Sequence, residues 1–275
     1  MRMTIEAYDG SRPRTDLCVN AAKFAIETLS EIAAVREQLK APHAKSSIPR
    51  RYSVPLRMWE SAHAVGDSDL TPMAAVAGAI ADSTANFLKE FKVSRIVVNN
   101  GGDIAVRLTE GEYIKVGIRS DVNSQRIERL IHVSWSSGIG GICTSGLGGR
   151  SFTRGVASAV TVAARSAAIA DVAATSIANS TFIPHETIIR RPAELMDPDT
   201  DLVGLDVTCE VGNLQEEFVA RCLQKSLIKA DALAEQNIIA GAAITIKGKT
   251  AFTEKLKPFV SKVDSQIHDI LNCHI

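Results

Sequence analysis

The sequence predicts an α+β fold in which two similar strand-and-helix halves surround a glycine-lined cleft. Helical and strand periodicities alternate along the 275 residues, which favours a mixed architecture. The tetrapeptide Ala-Ile-Ala-Asp occurs at residues 79–82 and again at 168–171, each time in a small-residue helix beside a strand and a glycine turn. A duplicated unit would place the two helices around one cleft, although two alanine-rich helices can also share four residues by chance.

We expect a single domain with three parts, residues 1–68, 69–180 and 181–275. The first part predicts, in order, an amphipathic helix, a proline-rich crossing and a short helix, at residues 17–40, 42–55 and 56–65. The third part predicts an irregular stretch with three prolines, then a helix, a strand and a last helix, at residues 181–201, 214–234, 242–247 and 257–271.

The central part carries the strongest local signals. Thr71 and Pro72 predict the start of a helix that runs to Phe91, because a hydroxyl residue suits the N-cap and proline suits the first turn. Strands are expected at residues 94–99, 104–108, 113–118 and 131–135. An alternating apolar segment at 156–164 predicts a half-buried strand, and an alanine-rich helix follows at 166–179.

Composition narrows the function classes. Basic and acidic residues are equal at 31 each, so no overall field favours nucleic acid or an anionic membrane as a partner. No window has the roughly 18 apolar residues of a membrane-spanning helix, and the first residues lack the apolar core of a signal peptide. Five scattered cysteines without a C-x-x-C pair indicate neither a zinc site nor a disulfide framework, which favours the cytoplasm.

A glycine-rich turn at residues 141–149 and the alanine-rich helix together predict a ligand site. Asp171 and Thr175 are four residues apart and therefore share one helix face. Two hard oxygen ligands beside glycines that can approach a ligand closely are typical of Mg²⁺ bridging the phosphates of a nucleotide. A carboxylate that only caps or pairs at the helix surface is the alternative interpretation of Asp171.

Further candidates have an ordinary structural alternative. Thr144, Ser145 and Gly146 lie where a phosphate could bind, but they could equally form a strand-end turn. Arg150 and Arg154 could clamp a phosphate or carboxylate, or could be plain surface charge. Asp103 could contribute chemistry or could simply complete a turn, and Cys143 has no histidine at a spacing that would favour a nucleophile.

Four motifs in order resemble an uncharacterised family distantly related to the ApbE flavin transferases, which are FAD:protein FMN transferases. They begin at Thr71, Val98, Ile142 and Ala159, and the last continues through Ala-Asp-Val-Ala-Ala-Thr at residues 170–175. The resemblance implies an ApbE-like fold and a metal held by Asp171, Thr175 and the carbonyl of Ala174. It also implies a flavin site near four residues with cofactor-binding roles, Gly78, Asn100, Gly101 and Gly102, and near Asp103.

The chain departs from the transferase pattern at two places. Ala77 stands where those enzymes have a lysine, and residues 150–155 lack their histidine and their Asp-Pro-x-Thr-Gly segment. The resemblance therefore implies no transfer of FMN to a protein. Residues 197–200 read Asp-Pro-Asp-Thr but follow the metal helix instead of preceding it, so a solvated loop is expected there.

These observations predict an ApbE-like protein that binds FAD, FMN or another small anionic ligand with Mg²⁺. One alternative is a small-molecule enzyme that acts on an anionic ring substrate through Asp103, Arg150 or Arg154. Another alternative is a ligand-binding module without catalysis. We further expect a homo-oligomer, and we expect neither nucleic acid nor a membrane among its partners.

Overall fold

A computed structural model describes residues 2–45, 53–120, 127–149 and 151–263. The strands within these ranges are β1 (Met3–Asp9), β2 (Arg12–Pro13), β3 (Arg95–Asn100), β4 (Asp103–Leu108), β5 (Tyr113–Ile118), β6 (Arg129–Ser134), β7 (Gly141–Ser145), β8 (Ala159–Ala164), β9 (Ile188–Pro192), β10 (Asp206–Val211), β11 (Gly241–Ile246), β12 (Lys249–Phe252) and β13 (Val260–Lys262). The α-helices are α1 (Thr15–Ala34), α2 (Arg36–Leu39), α3 (Ser53–Val65), α4 (Val76–Lys89), α5 (Ala167–Ser180), α6 (Ala193–Met196) and α7 (Glu216–Glu235).

Eight of these strands form one antiparallel sheet in the order β12-β11-β8-β7-β4-β3-β1-β2. A three-stranded sheet, β13-β6-β5, and a two-stranded ribbon, β10-β9, accompany it. Helices and strands are mixed along the chain, so the predicted α+β class is confirmed.

The large sheet is covered on both faces. One hydrophobic cluster joins it to the helices, and a second cluster joins its other face to the three-stranded sheet. Neighbouring residues of β7 illustrate the alternation, because Ile142 belongs to the second cluster and Cys143 to the first. All six residues of β8 are therefore buried, and the prediction of a half-buried strand there was wrong.

Helices α4 and α5 pack against each other at their first turns, where small residues let the backbones approach. A methyl group added at Gly78 would lie 2.3 Å from the carbonyl oxygen of Ala167. The two copies of the Ala-Ile-Ala-Asp tetrapeptide lie in these two helices. The chain therefore places its repeated segments side by side, as the duplication interpretation requires.

Three sequence predictions need correction. The first helix ends at Ala34 and α2 restarts at Arg36, so residues 17–40 are not one helix. Residues 141–145 of the predicted glycine-rich turn form strand β7. Residues 257–262 form a short 3-10 turn and β13 instead of a helix, because Val260 pairs with Ile131 of β6; the remainder of that predicted helix, from 264, lies outside the described residues.

Across the described ranges, none of the helices is both long enough and apolar enough to cross a membrane.

Candidate functional site

A cavity of about 560 Å³ lies where the beginning of α4, the end of β3, the end of β7 and one face of α5 meet. It gathers eight of the residues that the sequence singled out: Asn100, Gly101, Asp103, Thr144, Ser145, Arg154, Asp171 and Thr175. The residues that precede α4, including Thr71 and Met73, line the same space. The segment opened by Thr71 and part of the 141–149 segment therefore border one cavity.

The floor of the cavity includes the Asp171 and Thr175 pair of α5. Both side chains border the cavity, as their four-residue spacing predicts. One carboxylate oxygen of Asp171, Oδ2, accepts a hydrogen bond of 2.9 Å from the backbone N–H of Gly78. Among the described residues, no basic side chain forms an ion pair with Asp171.

In α4, the residues that correspond to Asp171 and Thr175 are Asp82 and Asn86, and they bind another side chain of the protein. Asp82 Oδ2 accepts a hydrogen bond of 2.9 Å from the N–H of Ala168, and its Oδ1 lies 2.8 Å from Nη2 of Arg107. Nε of Arg107 donates to Oδ1 of Asn86 at 2.9 Å. Asn86 follows Asp82 by four residues, as Thr175 follows Asp171. In α4 this pair of side chains holds a guanidinium, whereas in α5 it borders the cavity.

Burial raises the pKa of the Asp171 carboxyl well above its ordinary value. The negative charge of Asp103 raises this pKa further, while hydrogen bonds from the amides of Gly78 and Ala77 lower it. Asp103 begins β4, and its Oδ1 accepts a hydrogen bond of 3.3 Å from the N–H of Thr144. The two carboxyls thus influence each other electrostatically across the floor.

Cys143 is fully buried beneath this floor, and its Sγ lies 3.2 Å from the carbonyl oxygen of Ala167. Burial raises the pKa of the Cys143 thiol well above its ordinary value, and the charge of Asp103 adds to the effect. A thiol in such surroundings is protonated and inert. A structural role for Cys143 therefore agrees with its environment.

Four predicted site residues do not line the cavity, and each has a structural reason. Gly78 is the point of contact between α4 and α5, and Ala174 lies fully buried in the middle of α5. Gly102 turns the chain at φ +114° and donates its N–H to Oδ1 of Asn99 at 2.8 Å. Gly146 has φ +141°, and a side chain there would lie 2.8 Å from the carbonyl oxygen of Ser158, so packing requires this glycine.

The two predicted arginines have different outcomes. Arg154 lines the cavity, where its guanidinium pairs with Asp69. The backbone N–H of Arg154 donates a hydrogen bond of 2.9 Å to Oδ1 of Asn179. Its side chain is 26% exposed, so it is neither a plain surface charge nor fully buried. Arg150 lies outside the described residues.

Sequence reasoning missed the rim of the cavity, formed by residues 197–202 and called the rim segment below. Its Asp199 pairs with both Arg36 and Lys40, and its Asp201 accepts a hydrogen bond from the Thr71 hydroxyl. Residues 197–199 are exposed and form a loop, so the predicted solvated loop is confirmed, but the ion pairs and hydrogen bond made by Asp199 and Asp201 were not predicted. Thr71 keeps the extended backbone of an N-cap, but its hydroxyl bonds Asp201 and makes no capping bond.

The lining of the cavity carries more acids than bases. Six aspartates border it among the described residues, Asp69, Asp103, Asp171, Asp197, Asp199 and Asp201, against three basic residues, Arg36, Lys40 and Arg154. Within the part of the chain that the structure describes, no three His, Cys, Asp or Glu side chains form a group that could hold a metal ion. A metal at Asp171 would therefore need hydroxyl, water or ligand oxygens as well.

The model of a protein family described as AbpE bacteria matches residues 1–252. The chain belongs to this AbpE bacteria family. A UPF0280 protein of Methanopyrus kandleri is 33% identical over 217 residues, which cover 74% of this chain and 83% of the relative. A UPF0280 protein of Methanocaldococcus jannaschii is 36% identical over 51% of this chain and 57% of the relative. A UPF0280 protein of Methanothrix thermoacetophila is 40% identical over 43% of this chain and 49% of the relative. The resemblance inferred from the ordered motifs is thereby confirmed.

Solved structures of ApbE proteins also align with this AbpE bacteria family member. The flavin transferase ApbE of Vibrio cholerae is 14% identical, with 88% of this chain and 76% of that enzyme covered and a TM-score of 0.40. The ApbE protein of Thermotoga maritima is 15% identical, with 89% of this chain and 76% of that protein covered and a TM-score of 0.42. These scores are too low to transfer individual features of those proteins to this chain.

Proposed function

We propose that this AbpE bacteria family member binds a flavin-type dinucleotide, or another small anionic ligand, together with Mg²⁺ in the cavity, and that it is not a protein FMN transferase. The observation that carries the proposal is the comparison between the two repeated helices. Asp82 and Asn86 hold the guanidinium of Arg107, whereas the corresponding pair borders an open cavity. A cation bound by Asp171 and Thr175 would correspond to the guanidinium that Asp82 and Asn86 hold.

The chemistry of that pair suits Mg²⁺. This ion takes oxygen ligands, keeps several waters, and is commonly held by one or two carboxylates together with substrate phosphates. Asp171 offers a carboxylate and Thr175 a hydroxyl, and Asp103 places a second carboxylate on the same cavity. The ion would neutralise the two mutually repelling carboxylates and would position a phosphate above them.

The excess of aspartates in the lining supports joint binding of metal and anion. An anion that enters alone would meet more negative than positive charge at close range. A divalent cation reverses that balance locally, so we expect anion binding to depend on Mg²⁺. A neutral or cationic ligand would show no such dependence.

The proposal excludes FMN transfer because residues 150–155 lack the histidine and the acidic segment of the transferases that the chain resembles. Arg154, within the same segment, is already engaged by Asp69. Incubation with FAD, Mg²⁺ and a threonine-bearing acceptor protein, followed by mass measurement, tests this exclusion. An acceptor that gains the mass of FMN would contradict it.

Binding is tested by calorimetric titration with FAD, FMN, ADP and pyrophosphate, each in Mg²⁺ and in EDTA. We expect at least one flavin to bind in Mg²⁺ and to bind at least tenfold more weakly in EDTA. Thr175→Val should reproduce part of that loss, whereas Thr84→Val, which removes a buried hydroxyl that bonds the carbonyl of Ile80, should not. Equal flavin affinity in Mg²⁺ and EDTA would contradict the metal, and binding of pyrophosphate without any flavin would favour a different anionic substrate.

A further inference from the structure

Two basic side chains that line the cavity, Arg36 and Lys40, hold one carboxylate between them. Arg36 begins α2 and Lys40 directly follows its last residue, and both pair with Asp199 of the rim segment. The Lys40 side chain is only 16% exposed, whereas that of Asp199 is 58% exposed. Glu37 also lies 3.4 Å from Nζ of Lys40, but it is 83% exposed and does not line the cavity.

The rim segment brings Asp199 to these cations through a few polar contacts. The N–H of Asp199 donates to Oδ1 of Asp197 at 2.9 Å, and Asp201 is held by the hydroxyl of Thr71. Residues 195, 196, 197, 198 and 199 are all exposed, so few apolar contacts fix this part of the chain. Exposed ion pairs add little stability, and a competing anion can therefore displace Asp199.

We propose that Arg36 and Lys40 bind the anionic end of the ligand, and that Asp199 occupies their site until a phosphate or carboxylate of the ligand displaces it. This inference rests on the proposed function, because it assigns other residues of the same cavity. Two neighbouring positive charges such as those of Arg36 and Lys40 favour a counterion between them. Asp199 supplies one in the free protein, and a phosphate, with more charge and more acceptor oxygens, replaces it in the complex.

The assignment gives the cavity two poles of opposite character. Asp171 and Asp103 form the acidic pole, which suits a metal ion. Arg36 and Lys40 form the basic pole, which binds an anion directly. A ligand with two anionic groups can span both poles, one group through the metal and the other through the two basic side chains.

Calorimetric titration of the full chain with Mg²⁺-pyrophosphate tests the inference. Asp199→Asn should tighten binding about three- to tenfold, because the internal competitor loses its charge. The double variant Arg36→Gln/Lys40→Gln should weaken binding at least tenfold. Glu37→Gln is the matched control, since it removes the same charge beside Lys40 but outside the cavity, and it should change affinity less than twofold.

The outcomes separate this inference from the proposed function. Binding by Asp199→Asn when the unchanged protein shows none would still support displacement. The inference is overturned if Asp199→Asn binds no better than the unchanged protein, if Glu37→Gln tightens binding equally, or if no variant binds pyrophosphate. If flavin binds in Mg²⁺ but the double variant retains full affinity, the proposed function stands and this inference fails.

Amide hydrogen exchange is a second test of displacement. If the ion pair were purely structural, ligand binding would not increase exchange in the rim segment. Mg²⁺-pyrophosphate should increase exchange in peptides that cover residues 197–202, because Asp199 is released, and should decrease it at the first turn of α4. Unchanged or slower exchange in the rim segment would overturn displacement. Thermal unfolding of each variant confirms that the chain remains folded during these titrations.

Discussion

Asp82 and Asp171 each accept a hydrogen bond of 2.9 Å from the first turn of the other's helix, Asp82 from Ala168 and Asp171 from Gly78. These two reciprocal hydrogen bonds join α4 to α5 at their N-terminal ends, where each helix has unpaired backbone N–H groups. They also place a carboxylate near the positive end of each helix dipole. The two acids are left in different surroundings. Asp82 is sealed with Arg107, and Asp171 borders the cavity.

Asp171→Asn should raise the melting temperature in EDTA. The amide oxygen can still accept from Gly78, while the cost of burying a charge near Asp103 disappears. For a chain of this size each kcal/mol corresponds to about 2–4 °C. The same variant should lose any Mg²⁺-dependent rise in melting temperature, as measured by calorimetry with and without the metal. A lower melting temperature in EDTA would show that the carboxylate itself stabilises the fold.

The stability of the metal-free protein should fall as the pH rises through the raised pKa of Asp171. Because the folded pKa lies above the ordinary value of 3.8, the folded state holds this proton more tightly than the unfolded state. The resulting stabilisation is complete below about pH 4 and is lost as the pH rises through the folded pKa. Urea unfolding at several pH values, with Asp171→Asn subtracted as the reference, measures this contribution. A difference that does not vary with pH would contradict the prediction.

Arg107→Met should destabilise the protein by about 3–5 kcal/mol, because it leaves the fully buried Asp82 without its cation. The substitution also removes donors from the carbonyls of Val106 and Gly140. Adding Asp82→Asn should recover part of the loss, since the two effects are coupled. Arg95→Met, which breaks the more exposed pair with Glu112, serves as the control and should cost about 1 kcal/mol or less. Equal costs for the two single variants would refute the argument.

Gly78→Ala should destabilise the fold by about 1–3 kcal/mol or more, as expected for overpacking. In an ordinary helix this change is stabilising by roughly 0.5–1 kcal/mol, so the sign of the effect is diagnostic. The added methyl group would lie 2.3 Å from the carbonyl oxygen of Ala167 and would force α4 and α5 apart. At Gly149 the nearest atom would be 3.1 Å away, so Gly149→Ala should cost less. Chemical denaturation of both variants decides the matter.

The sequence was informative where the determining interactions are local. The pairing of Asp171 with Thr175 follows from the helical repeat, and the start of the α4 region follows from Thr71 and Pro72. The repeat itself indicated that α4 and α5 correspond to each other. None of these features requires knowledge of distant parts of the chain.

Interactions between distant residues account for what the sequence could not predict. Asp199 is 163 residues from Arg36 and 159 residues from Lys40 in the sequence. Each ion pair therefore depends on where the folded chain places the rim segment. Strand β13 exists because it pairs with β6, more than 120 residues earlier. Burial of β8 on both faces follows from the layers on each side of the sheet, which an alternating pattern of small residues does not reveal.

The contact between Gly78 and Ala167 joins two backbones with no side chain between them. Side chains change rotamer within picoseconds to nanoseconds, but packed helices move only as whole elements and far more slowly. The floor of the cavity therefore keeps its shape, while the rim segment is held by a few side-chain contacts. The conformational entropy lost when a ligand binds should fall mainly on the rim segment. Substitutions that alter how fast a ligand leaves should accordingly map to residues 197–202, and those in the paired helices should alter whether the protein folds.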